Sequence, residues 1–174
     1  VSPVQNKVGM LLNNPMLRNV LCQVRPTIDI RRLMDEGQIL LVNLSRGKLG
    51  DDPTHLLGAC FVTAFSQAAA ARTEVAEEQL RDCTLYADEF QNVVTDSFDN
   101  LFSESRKYGI CLTVAHQYLG QLTPRIQATT QGNTGTIVVF RISGEDAARL
   151  EAEMTPIFKA KDMVNLGMKE FYIK

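Results

Sequence analysis

Two adjacent carboxylates, Asp88 and Glu89, stand directly behind the apolar run Cys83-Thr84-Leu85-Tyr86-Ala87. Acids in this position suit a hard, oxygen-loving cation such as Mg²⁺, and a second acid beside the first can polarise a water for attack on a phosphate. Asp88 is the candidate metal-associated acid and Glu89 the candidate water-activating one. The plainer alternative is loop solvation or negative charge at a helix N-terminus. Gln117 follows another apolar run, Ile110 to Ala115. Its amide can donate to a phosphate oxygen and accept from water; its alternative is a capping or loop amide. His116 beside it reads as a packing or loop histidine rather than a base. With His55 the only other histidine, a His-rich metal cluster is excluded.

These side chains need elements to hold them. Apolar spacing predicts a helical entry over Val4 to Leu12 and Met16 to Cys22, and a short amphipathic stretch, Ile28 to Met34, between Pro26 and Gly37. Ile39 to Leu44 is a continuous apolar run, expected as a buried strand. Ser45 to Asp52 reads as a loop, followed by a long helix with Asp52 as its cap and Pro53 as its first residue. Leu57, Phe61, Ala64, Phe65 and Ala68 form that helix's apolar stripe, and Arg72 to Arg81 turns polar. After the strand 83–87, Thr95 caps a helix carrying Phe98, Leu101 and Phe102, and Gly109 stops it. Later come the strand 110–115, a helix to about Gln131, and a strand from Thr136 to Arg141. A Ser143/Asp146 capping box then opens a helix with Ala147, Leu150 and Met154, and Glu170 to Ile173 is an edge strand. Strands separated by helices require crossovers, which favours a mostly parallel sheet with helices on both faces. In such α/β sheets chemistry collects at the carboxyl ends of strands, here Ser45, Asp88-Glu89, His116-Gln117 and Arg141.

The chain has 174 residues, 45% hydrophobic and 22% charged, which fits one ordinary domain or a piece of a larger one and excludes a disordered or collagen-like chain. A net charge of -2 leaves no broad basic face, so any DNA contact must be local; Lys48, Arg72, Arg81 and Arg125 are the available cations, each also readable as ordinary surface charge. No run approaches the roughly 20 apolar residues of a membrane span, and nothing resembles a signal peptide. Cys22, Cys60, Cys83 and Cys111 lack C-x-x-C spacing and read as small buried apolar residues in a reducing, cytoplasmic setting.

The strand ending in Asp88-Glu89 has the Walker B pattern of P-loop nucleotide hydrolases. A Walker A loop is absent: around Gly47-Lys48 the pattern needs Gly where Val42 stands and Ser or Thr where Leu49 stands. ILLVNLSRGKLG, LYADEFQNVVTDSF, SESRKYGICLTVAHQYLGQL, GNTGTIVVFRISGEDAARL and DMVNLGMKEFYIK together resemble the C-terminal part of the motor domain of HerA/FtsK-type ATPases. Within that group the likeness is to TraG/TraD-like DNA-pumping ATPases of conjugation and type IV secretion. The resemblance implies a RecA-like α/β fold, with residues 1–38 as a helical entry and 39–174 as the C-terminal part of the ATPase domain. It also implies ATP and Mg²⁺ bound with an upstream P-loop, a hexameric ring, DNA movement, secretion or conjugation components as partners, and work at the inner face of the membrane. Residue by residue, Asp88 matches the magnesium-associated acid, Glu89 the water-activating acid and Gln117 the sensor glutamine. Arg106 resembles an arginine that reaches a phosphate across a subunit boundary, with a helix-terminal cation as its plain alternative. Arg141 is a second such arginine, or a partner for Glu145 or Asp146.

Two other readings stay open. One is a non-catalytic interaction or assembly module that kept the motor fold and lost its nucleotide pocket. The other is a small hydrolase using Asp88 and Glu89 as an acid/base pair, which would need oxyanion donors that the sequence does not display.

Overall fold

The computed structural model describes residues 5, 8, 9 and 12–174, and the backbone only of Asp96 and Ser97. The expected helix Val4 to Leu12 lies mostly outside the described residues; Gln5, Val8, Gly9 and Leu12, which are described, are helical. The chain divides into two compact units, Val1–Val114 and Ala115–Lys174.

In the first unit, α1 (Pro15–Leu21) starts where Asn14 caps it, its side chain accepting from the backbone N–H of Met16 at 2.9 Å and Leu17 at 3.3 Å. α2 (Ile30–Glu36) is capped by Asp29 and ended by Gly37 at φ 66°, a left-handed position that favours glycine. The one-turn α3 (Arg46–Leu49) takes in Gly47-Lys48, and the long α4 (Asp51–Ala70) follows. Asp51 and Asp52 lie within α4's first turn and Gly50 is its cap, so Asp52 supplies charge to the helix N-terminus rather than capping it. Besides Pro53, the residues α4 buries, Thr54, Gly58, Val62, Phe65 and Ala69, form a line about one residue round from the expected stripe, with Phe65 in both, and Ala64 is exposed. α4 packs against α2 and against α5 (Asp96–Glu104).

β1 (Cys83–Ala87) pairs in parallel with β2 (Ile110–Val114), with Cys83 opposite Ile110 and Ala87 opposite Val114. Gly109, at φ 62°, turns the chain from α5 and the 105–108 turn into β2. One face of this pair is covered, with Ile110 buried and Cys83, Leu85, Leu112 and Val114 half-buried. The other, carrying Thr84, Tyr86, Cys111 and Thr113, is exposed. Ile39–Leu44 is not a strand: Ile39 is 89% and Leu41 90% exposed, and β1 has no ladder partner besides β2 among the described residues. Apolar character alone could not supply the neighbour that a buried strand requires. The cysteines also depart from expectation. Cys22, Cys60 and Cys111 are exposed and Cys83 is half-buried, because Cys60 lies off α4's buried line and Cys111 alternates onto the open face of β2.

The second unit is built on α7 (Gly144–Met154). Ser143 accepts from the Asp146 backbone N–H, as one half of the expected box, while the Asp146 carboxylate accepts from the Leu119 backbone N–H instead. Ala147 and Met154 meet Val139 and Met163, the latter on α8 (Ala160–Val164), in one apolar cluster that also packs Leu150 and Phe158. β3 (Val138–Val139) pairs antiparallel with β4 (Tyr172–Ile173), shorter than the runs 136–141 and 170–173 suggested. α6 (Pro124–Asn133) is capped by Thr123. No described helix is long and apolar enough to cross a membrane.

Candidate functional site

Asp88 and Glu89 leave the carboxyl end of β1 in a tight turn. Asp88 Oδ1 accepts from the Glu89 backbone N–H at 2.9 Å, and Glu89 takes φ 48° and ψ 44°, a left-handed conformation uncommon for a residue with a Cβ. What holds it is Phe90. That ring is fully buried, with its centroid 5.8 Å from Phe98 and 6.3 Å from Phe102 on α5, while the 90–92 turn returns Asn92 N–H to the Glu89 carbonyl at 3.0 Å. Removing this much aromatic surface from water fixes the chain on the far side of Glu89.

The acids line a cleft of about 670 Å³, within the range of small-ligand sites. The 42–47 segment and Thr54 and Gly58 of α4 line it as well. Thr54 ties α4 to that segment by donating to the Leu44 carbonyl at 3.1 Å. Gly58 lets β1's turn come close: a Cβ there would lie 2.2 Å from Val93 Cγ1.

Three residues of this site were not singled out from sequence. Asn92, 9% exposed, donates from Nδ2 to Glu89 Oε2 at 3.2 Å and accepts at Oδ1 from the guanidinium of Arg46. Arg46 also lies 3.4 Å from Asp51, and His55 Nδ1 donates to the Asn92 carbonyl at 2.6 Å. Because a carbonyl carries no proton, the His55 proton must sit on Nδ1. The sequence signal for Asn92 was its place in the third position after Glu89, where a 3₁₀ turn brings side chains together. Arg46 and His55 are 46 and 37 residues away from Asn92, beyond the reach of any local pattern.

The residues present fit Mg²⁺ only in company. Asp88 has one carboxylate oxygen engaged by Glu89, and no cluster of three or more metal-ligating acids, histidines or cysteines occurs among the described residues. Mg²⁺ is commonly held by one or two carboxylates together with substrate phosphates and water, and this edge can supply that share. The 42–50 segment departs from a phosphate-binding loop at Val42 and Leu49.

Arg106 is exposed and precedes β2, whereas Asp88 and Glu89 follow β1. The two strands are parallel and five residues long, so Arg106 and the acids lie at opposite sheet edges, roughly 13 Å or more apart at about 3.3 Å per residue. Gln117 and Arg141 belong to the second unit. Gln117, three residues past Val114, is exposed, and its backbone N–H donates to Gln121 Oε1 at 3.3 Å. Arg141 is exposed and pairs with neither candidate: Glu145 bonds Arg149 at 2.7 Å, and Asp146 serves Leu119. His116 is half-buried, and burial lowers its pKa against the opposing pull of Asp146. Among the cations set aside for DNA, Arg72 is fully buried, 3.3 Å from Asp35 and donating to the Arg81 carbonyl, so it offers no surface charge.

No curated protein and no solved structure gives a match to this chain. Residues 82–155, which run from the start of β1 through α7 and include Asp88, Glu89, Arg106, Gln117 and Arg141, do match a family model, described as the TraM recognition site of TraD and TraG, and so support a TraG/TraD-like conjugation protein.

Proposed function

We propose that this chain forms part of an ATP-hydrolysing motor that moves DNA in conjugative transfer or type IV secretion, with a RecA-like arrangement completed by an upstream phosphate-binding segment. The observation that carries the reading is the Asp88-Glu89 pair, which lies inside the stretch that matches the TraG/TraD family model and, at the carboxyl edge of a parallel strand pair, lines a ligand-sized cleft. In this reading Asp88 associates with Mg²⁺ and Glu89 orients the attacking water. Gln117 senses the γ-phosphate. Arg106, at the far edge of its own sheet, serves the site of a neighbouring subunit in a hexamer, and Arg141 is the lesser candidate for that role. DNA contacts fall to exposed cations such as Lys48, Arg81 and Arg125. The family description makes TraM the proposed protein partner of residues 82–155.

The test is Glu89→Gln in the complete protein. Turnover should fall at least ~100-fold while ATP binding is kept, since the substitution removes the charge that polarises water and leaves the phosphate-binding parts alone. Retained turnover would remove Glu89 from this role.

The family description names a recognition site, and that favours a second reading: an interaction module that docks TraM without chemistry of its own. Calorimetry with TraM against this chain, read beside the Glu89→Gln turnover, separates the two. TraM binding together with undiminished turnover in the variant selects the module.

A further inference from the structure

Asn92 stands between two charged groups that line the same cleft. Its Nδ2 donates to Glu89 Oε2 at 3.2 Å, and its Oδ1 accepts from Arg46, which is itself steadied by Asp51 at 3.4 Å. The amide has one workable orientation. Flipped, it would point its oxygen at a carboxylate and its NH₂ at a guanidinium, and both contacts would repel. Few other side chains suit the position: an acid would repel Glu89, a base would repel Arg46, and an apolar group would leave both with fewer partners. The residue is nearly buried, so these interactions act at lower dielectric than they would in water. The backbone reinforces the arrangement, because Asn92 N–H returns to the Glu89 carbonyl at 3.0 Å and its own carbonyl accepts from His55.

We propose that Asn92 is a positioning residue that couples Arg46 to the carboxylate of Glu89 within the lining of the cleft. An anion entering the cleft draws on the Arg46 guanidinium, the pull passes through the Asn92 amide, and Glu89 reorients when the cleft is filled. The coupling rests on the reading of Glu89 as the water-activating acid only for its consequence in turnover; the hydrogen-bonded chain stands apart from it.

Two measurements test this. In the complete protein, Asn92→Asp keeps shape and backbone but replaces the NH₂ that donates to Glu89 with an acceptor, so the bond between the two side chains is lost. The variant should lower kcat about tenfold with KM changed less than about twofold, the split expected of a residue that positions Glu89 rather than binds substrate. Arg46→Ala should lower kcat about tenfold, and Arg46→Ala with Asn92→Ala should lose little more than Asn92→Ala alone. An unchanged kcat in Asn92→Asp together with additive losses overturns the proposal. In the 174-residue chain, the side-chain amide signals of Asn92 in a ¹⁵N-resolved NMR spectrum should shift in both Glu89→Gln and Arg46→Ala. If neither variant moves them, the coupling is refuted whatever the turnover shows. If they move while Glu89→Gln retains turnover, the coupling stands and the motor reading falls.

Discussion

Glu89 occupies a backbone conformation that few non-glycine residues adopt, and the cost is met by its neighbours: Phe90 buried on one side, the Asp88 carboxylate accepting its N–H on the other. The place of this pair directly behind a strand was readable from residue type and order. Arg46 and His55 were not, since their meeting with Asn92 depends on how α3 and α4 sit beside the 90–92 turn, which no local spacing encodes. Gly58 illustrates the same point. As a glycine inside a helix it looks like a weak spot, yet its missing Cβ is what admits Val93. Gly58→Ala should therefore destabilise by about 1–3 kcal/mol in urea unfolding despite its better helix propensity. Adding Val93→Ala should recover part of the loss, and a Gly58→Ala chain as stable as the parent would show that the close approach has slack.

At the scale of elements, helices were more legible than strands. α1, α2 and α7 each announce themselves by a capping side chain and a periodic apolar face, both local properties, and with α5 each falls within a few residues of expectation, although Thr95, expected to cap α5, makes no side-chain cap bond. A strand is defined by its partner. Ile39–Leu44, Thr136–Arg141 and Glu170–Ile173 all carried strand-like composition, but only the parts that find a ladder, Val138–Val139 with Tyr172–Ile173, are strands. The Phe90–Phe98–Phe102 cluster joins α5 to the turn after β1. Phe98→Ala should cost about 3–5 kcal/mol and, because the same cluster secures Glu89, should also broaden the NMR signals of residues 88–92. Sharp, unshifted signals in that turn would separate the cluster from the site. On α7, Ser143→Ala removes a cap whose loss costs about 1 kcal/mol, seen as a lowered denaturation midpoint.

For the molecule as a whole, the net charge is -2, and the candidate site belongs to the first unit. Acid sensitivity is assigned to the second. His116 is held below the ordinary imidazole value of 6.5 by burial, with Asp146 opposing. The folded chain therefore binds this proton less readily than the unfolded chain does. Its contribution to stability is fully present above pH 6.5 and is lost as pH falls from there towards the lower folded value. Unfolding midpoints measured at several pH values should drop across that window, and His116→Gln should flatten the drop; an equal drop in the variant would place the sensitivity elsewhere. In the proposed ring, Arg106→Ala subunits mixed with wild type should depress turnover more than in proportion to their fraction, as expected of a group that acts on a neighbour's site; a linear decline would deny it that role. The open face of the β1–β2 pair has a practical consequence. Cys111 sits on it exposed, while Cys83, one strand over on the covered face, has its thiol pushed up by burial, with Arg72 pulling the other way. Maleimide should thus tag Cys111 well ahead of Cys83, and the tagging rate of Cys111 becomes a clock that slows when a neighbouring chain settles over that face.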